Sequence, residues 1–344
     1  MRKARLKIPG DREVGYYHCI SRVVHRQMLL GTAEKEKFVQ IMREYEEFCE
    51  VKVLTFCVMA NHFHILVEIP KRPAKPPSAE DLLKKLERLT CQIGYQWVRQ
   101  RLEMLQGEEN SQARQEFLES FYVRMWDVSW FIRLVKQRFS AWFNKRTGRK
   151  GTLWEERFKS VLVDGAGDAL VTMAAYIDLN PVRAGVVKDP ARYRWTGYAE
   201  ATAGRKRARN GVLVLASVLA NSNELAASKA MEFYRTHLYL EGDERRAGLD
   251  EQGRVNRGSL KTEDVESTLR AKGRIPVREY VRRRVRYFCD GAIFGSREFV
   301  DEMFRAMKDR LGQERDDGAR RMRGVKEELF CFRDLRVNLF GKVG

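Results

Sequence analysis

Met59-Ala60-Asn61-His62-Phe63-His64-Ile65-Leu66-Val67-Glu68 is the stretch on which the fold is read. Strand-forming residues flank it on both sides, Val51 to Cys57 before and Ile65 to Ile69 after. In a strand successive side chains alternate, so His62 and His64 share one face and Phe63 points to the other. The chain has five histidines in all, and two of them stand at strand spacing. Such a pair is either a chelating site or two imidazoles on a half-buried sheet face, and the strand by itself leaves both open.

Working outward, Gly15 to Val24 is apolar and aromatic enough for a first strand. Thr32 then opens a helix as its cap, with Phe38, Ile41, Met42, Tyr45 and Phe48 at helical spacing. Val51 to Cys57 and Asn61 to Ile69 follow, which gives β-α-β-β with the histidine pair on the third strand. The prolines between Pro70 and Pro77 end that pattern. Residues 71–127 read as a helical insertion, over 79–106 and 111–122, that is either a lid or plain scaffold. Ser129 to Arg146 is an amphipathic helix whose stripe of Phe131, Leu134, Val135, Phe139, Trp142 and Phe143 is read as core rather than as a base-stacking platform. A basic loop, Lys145 to Gly151, closes it, and Leu153 to Val163 is read as another strand.

The second group of chemically suggestive residues starts at Asp168, read as the cap of a helix running to Asn180, where Pro181 enforces a restart. Tyr176 and Asn180 are four apart, which puts a phenol and a carboxamide on one helical face. A core tyrosine beside a capping asparagine is the plain alternative.

Composition narrows the partners. Lys and Arg number 65 against 47 Asp and Glu, a net charge of +18 that asks for a polyanion, nucleic acid first. No apolar run approaches the roughly 20 residues of a membrane-spanning helix, and Met1-Arg2-Lys3-Ala4-Arg5 leads into no apolar signal core. The expected location is therefore cytoplasmic, with the nucleoid as the partner surface and no membrane. Six scattered cysteines without a Cys-x-x-Cys read as small core residues. No phosphate-binding Gly-rich loop is present, so no nucleotide cofactor is expected.

The strongly basic run Ala201 to Gly211 marks an expected domain boundary. Residues 201–260 read as basic linker with helices, and 261–344 as a helical accessory DNA-binding domain. In that domain Pro276 opens a helix carrying Arg278, Arg282, Arg283 and Arg286, and Ser296 caps another.

Asn61-His62-Phe63-His64-Ile65-Leu66-Val67 together with Tyr176-Ile177-Asp178-Leu179-Asn180-Pro181-Val182-Arg183-Ala184-Gly185 resembles the REP-associated tyrosine transposases of the single-tyrosine HUH superfamily. Gly15-Tyr16-Tyr17-His18, Gly151-Thr152-Leu153-Trp154-Glu155 and Trp195-Thr196-Gly197-Tyr198 add to the resemblance, which spans roughly residues 9–202. It implies an α+β fold, a ferredoxin-like antiparallel sheet with helices on one face, over residues 1–200. It also implies that His62 and His64 ligate a metal, that Tyr176 is the nucleophile and that Asn180 is a third ligand, where many relatives carry a glutamine. A site of two imidazoles and an amide suits Mg²⁺ or Mn²⁺, since Zn²⁺ usually takes more protein ligands. The implied activity is a single-stranded DNA endonuclease and strand transferase that works on hairpins through a 5′-phosphotyrosine, as a monomer or a homodimer. A replication-initiator or relaxase-type nickase and a non-catalytic DNA-binding regulator are the competing readings. Lys145, Arg146, Arg149, Lys150, Arg157, Lys159 and Arg183 are the expected backbone contacts, each with a solvated surface charge as its alternative.

Overall fold

The computed structural model describes residues 5–221, 226–240, 248–249, 255–256, 288, 291–308, 318–321 and 328–332. Its centre is the expected β-α-β-β-α-β unit: β1 (Val14–Arg22), α1 (Thr32–Phe48), β2 (Lys52–Val58), β3 (His62–Pro70), α5 (Val128–Thr147) and β4 (Lys159–Val163). These four strands lie in the order β2-β3-β1-β4, all antiparallel, the arrangement of a ferredoxin-like sheet. The register sets Ile20 opposite both His64 and Lys159, and Arg22 opposite His62.

Period-2 alternation gives each face of the sheet its own core. Phe63, Ile65 and Val67 point toward α1 and α5, where Phe38 packs 4.7 Å from the Phe63 ring and 5.3 Å from Phe139. Trp154 closes this aromatic group at 5.4 Å from Phe63. The expected stripe of α5 is buried at Phe131, Val135, Phe139 and Phe143, so its aromatics are core. The insertion supplies α2 (Ala79–Leu89), α3 (Gln92–Met104) and α4 (Ser111–Tyr122). The stretch expected as one helix over 79–106 is interrupted at Thr90 and Cys91, both extended. Leu82 and Leu86 are buried in this same core, and Lys85 donates to the Glu47 carbonyl of α1. The insertion is therefore scaffold on the Phe63 face, not a lid over the histidines.

The other face carries His62, His64 and Leu66, and is covered by α6 (Asp168–Asp178) and α9 (Lys206–Ala220). Helices thus occupy both faces: α1 and α5 on one side meet the expectation, and the second layer goes beyond it. A four-residue helix, α7 (Asn180–Arg183), restarts with Pro181 in its first turn as expected. Asp168 is the first residue of α6 rather than its cap, which is Gly167 at φ 62°. Likewise Gly31, not Thr32, precedes α1. Leu153 and Trp154 do not extend β4; they form an isolated bridge and turn beside Val23.

Beyond residue 200 the structure departs from the expected linker. α8 (Gly197–Thr202) and α9 flank residues 203–205, and Ala208, Val212 and Leu215 are buried in the same core as α6. Gly211, a loop-former by composition, lies at a close approach: a Cβ there would sit 2.3 Å from the Leu54 carbonyl oxygen. α10 (Ala227–Leu240) packs on α9. Further along, β7 (Ile293–Gly295) pairs in parallel with β4, and β9 (Phe330–Phe332) and β8 (Arg320–Arg321) continue the sheet. The described part of the C-terminal region is thus built into this same sheet as strands plus α11 (Arg297–Ala306), instead of a separate helical unit. Ser296 caps α11 through Phe299 N–H, as expected. The Pro276 helix and its arginines lie outside the described residues. Cys19, Cys49, Cys57 and Cys331 are buried as expected, whereas Cys91 is exposed.

Asp178 ties this second layer together. It is fully buried, and it accepts from Thr55 Oγ1 of β2 (2.7 Å), Tyr234 Oη of α10 (2.7 Å) and the Tyr198 N–H of α8 (3.1 Å). Burial pushes its carboxyl up from 3.8 to about 6, while the three hydrogen bonds pull it down.

Two stability predictions follow from these cores. Phe38→Ala removes a ring that is 0% exposed and should lower the unfolding free energy by about 3–5 kcal/mol, read by urea denaturation. For Asp178 the folded pKa lies above the unfolded one, so its contribution is most favourable below about pH 4 and is lost as pH rises through 6. The stability of Asp178→Asn relative to the natural protein should then rise by roughly 2–3 kcal/mol between pH 4 and pH 7.5.

Candidate active site

β3 and α6 bring the two expected groups of residues together on the second face of the sheet. The His62 and His64 rings stand 5.0 Å apart, and the His64 ring lies 5.8 Å from the Tyr176 ring. Asn180, at the start of α7, places its Nδ2 3.2 Å from His64 Nε2. His62, His64, Tyr176 and Asn180 therefore converge.

The outer nitrogens of both imidazoles are occupied, and this determines what the inner ones present. Asn61 Nδ2 donates to the Arg26 carbonyl (2.9 Å), which turns its Oδ1 toward His62 Nδ1 (2.7 Å). An oxygen can only accept here, so His62 carries its proton on Nδ1 and shows a lone pair at Nε2. The Arg26 carbonyl is held by a turn in which His25 and Arg26 both take positive φ, 54° and 56°. That conformation is strained for residues with a Cβ.

For His64 the partner is His18, one strand over on β1. His18 Nε2 lies 2.9 Å from His64 Nδ1, and His18 Nδ1 lies 2.9 Å from the Phe288 carbonyl oxygen. The carbonyl must accept, so the proton of His18 is on Nδ1. His18 is completely buried, and burial drives its pKa down to about 3, so it is neutral and its Nε2 accepts. His64 then donates from Nδ1 and keeps a lone pair on Nε2, where the Asn180 amide donates to it.

Burial first, and the nearby Arg22 second, depress His62 to about 4. Burial also takes His64 far below the ordinary histidine range, helped by His62, His18, Arg183 and Arg22. Neutral imidazoles that present Nε2 lone pairs are the form a divalent ion requires. Two Nε2 atoms plus the Asn180 carboxamide, turned to present Oδ1, fit such an ion and leave positions open for phosphate oxygens and water. Among the described residues no group of three or more His, Cys, Asp or Glu could hold a metal, so this mixed nitrogen and amide set is the candidate.

Tyr176 is 6% exposed and held on both ring faces. Phe288 stacks on it at 4.4 Å with 17° between planes, which leaves the other face to Arg183, whose guanidinium carbon is 4.4 Å from the ring centroid. Arg183 Nε and Nη1 are buried without a hydrogen-bond partner among the described residues. Two buried, unpaired donors on a half-buried cation, beside a phenol and two neutral imidazoles, make an anion-seeking arrangement.

The other expected DNA contacts lie nearer the rim. Lys159 is exposed on the histidine face, in register with Ile20 and His64. Lys145, Arg146, Arg149 and Lys150 lie at the end of α5 and in its loop, which reaches the histidine end of the sheet: Arg149 donates to Gln27, and the following Leu153 carbonyl accepts from Val24. Arg146 faces Glu34 at 3.5 Å and Arg157 is exposed. Sequence reasoning missed the roles of Asn61, His18, Arg22 and Phe288. Asn61 and His18 stood inside quoted motifs, but their partners are set by strand register and by a residue 270 positions away, neither of which leaves a local signal.

Residues 12–89 match the family described as IS200-like transposases. Among solved structures the chain is similar to a REP-associated tyrosine transposase bound to a REP hairpin, at 15% identity over 59% of this chain and 87% of that one, with a TM-score of 0.37. No curated protein matches. The family match takes in the His62-Phe63-His64 strand.

Proposed function

We propose that this protein is a metal-dependent single-stranded DNA endonuclease and strand transferase with Tyr176 as its nucleophile. The observation that carries the reading is the convergence of His62, His64 and Asn180 with a Tyr176 ring lodged beneath Arg183. A divalent ion, when bound by His62, His64 and Asn180, supplies charge neutralisation at a phosphate oxygen. The protein's own residues do the rest.

Tyr176 Oη attacks the phosphorus, its proton passes to water, and the bond to the 3′-oxygen breaks as that oxygen gains a proton. A 5′-phosphotyrosine and a free 3′-OH result, and a second 3′-OH reverses the process, so bond number is conserved. A phenol, with an ordinary pKa near 10, is a good enough leaving group for this return step. Arg183 aims two donors at the charge that develops on the phosphoryl oxygens, and its position over the ring favours the phenolate. Lys159, Arg157 and the α5 loop residues Lys145, Arg146, Arg149 and Lys150 supply sequence-independent attraction to the backbone. Hairpin DNA as the substrate, and the use of Mg²⁺ or Mn²⁺, carry over from the motif resemblance.

The test is incubation with labelled single-stranded hairpin DNA and Mn²⁺, with a covalent adduct read on a denaturing gel. Tyr176→Phe should lose the adduct and keep hairpin affinity; an undiminished adduct overturns the assignment. EDTA, or a His62→Ala, His64→Ala double variant, should abolish cleavage. Arg183→Gln should slow adduct formation roughly 10²- to 10³-fold, and Arg183→Lys should recover only part, because an ammonium cannot reproduce the planar fork.

A further inference from the structure

The Phe288 contacts reach both halves of the site at once. Its carbonyl closes a line of hydrogen bonds, Phe288 O to His18 Nδ1 (2.9 Å), His18 Nε2 to His64 Nδ1 (2.9 Å), and His64 Nε2 to Asn180 Nδ2 (3.2 Å). Its ring lies flat on Tyr176 at 4.4 Å. His18 is 0% and His64 2% exposed, so water does not compete for these nitrogens. His18 is not itself one of the converging ligand residues; it reaches the site through its hydrogen bond to His64 Nδ1 and through an edge contact with the Tyr176 ring at 6.0 Å.

We propose that His18 and Phe288 are positioning residues of this centre: the Phe288 carbonyl and His18 together fix His64 as its Nδ1–H tautomer, with Nε2 aimed at Asn180, while the Phe288 ring fixes the plane of Tyr176. The physical reason is that a neutral imidazole has one donor and one acceptor, so a carbonyl at the start of the line decides every proton position after it. Partners of this kind orient a ligand's lone pair and sharpen its basicity, and losing one typically weakens metal affinity 10- to 100-fold. The ring contact works on the other reactant, since a nucleophile displaced by about 1 Å loses roughly 100-fold in rate. A single residue outside the 12–89 family match thereby serves the ligand and the nucleophile together.

The metal half of this inference rests on the function proposed above; the tautomer half does not. With five histidines in the chain, the full-length protein labelled with ¹⁵N-histidine gives a tractable imidazole spectrum without any metal. The natural protein should show both His18 and His64 as Nδ1–H tautomers; an Nε2–H His64 overturns the proposal by itself, with no variant needed. His18→Leu should release His64 from the pure Nδ1–H form and weaken Mn²⁺ binding, followed by electron paramagnetic resonance, by about 10- to 100-fold. His18→Gln, whose Oε1 can accept the same His64 proton, should restore both. An unchanged His64 tautomer and unchanged Mn²⁺ affinity in a folded His18→Leu protein would overturn the relay. Phe288→Ala should slow phosphotyrosine formation roughly 10- to 100-fold with little change in Mn²⁺ affinity, and an unaltered rate would overturn the ring's role. If Mn²⁺ fails to bind a protein whose His64 is Nδ1–H, the metal reading fails and the relay stands.

Discussion

A buried imidazole has two ring nitrogens and no water to satisfy them, and that constraint governs the centre of this molecule. His64 lies inside the sheet layer, so each nitrogen needs a partner supplied by the fold. One comes from β1, through His18; the other from the helix pair α6 and α7, through Asn180. Neither partner would be in place without the β1–β3 register and the packing of α6 on the second face. Desolvation, usually counted as a penalty, here enforces neutrality and a single proton arrangement on the histidine pair.

The sheet divides labour between its faces, and alternation along β3 makes the division. Phe63 belongs to an aromatic core with Phe38, Phe139 and Trp154, which gains its stability from apolar area and close ring contacts. One residue to either side, the histidines face a layer in which buried imidazoles and a buried carboxylate take their partners from neighbouring elements. Asp178, between Tyr176 and Asn180 in sequence, uses three donors from β2, α8 and α10 to hold the helix end. The insertion of residues 71–127 extends the aromatic side and leaves the histidine side to the later helices.

Much of this was legible from residues alone. The β-α-β-β opening, the break at Pro181 and the α5 stripe follow from periodicity and proline chemistry, which are local. The histidine pair and the Tyr176–Asn180 spacing were legible for the same reason, being fixed by strand and helix repeats. What escaped depends on distant parts of the chain. β7 and β9 are three residues each, too short to show a period, and their role as sheet strands exists only because β4 offers an edge. Gly211 has the composition of a loop but the task of a contact, visible only when Leu54 is opposite it. The basic residues carry no periodic signal, so their charge foretold a polyanion without foretelling that Arg183 would lie against Tyr176.

The span between His18 and the Phe288 carbonyl is 270 residues, and it has a consequence in time. Closing so long a loop is slow compared with forming the β1–β3 pair, and on a ribosome the later partner does not yet exist when the earlier strands meet. At ordinary synthesis rates of about 5–20 residues per second, the first strand waits on the order of tens of seconds for the residue that completes its line of hydrogen bonds. A nascent or truncated chain can therefore carry His62, His64 and Tyr176 while lacking the contact that aligns them. Ordering of the His64–Tyr176 centre thus waits on the synthesis of Phe288.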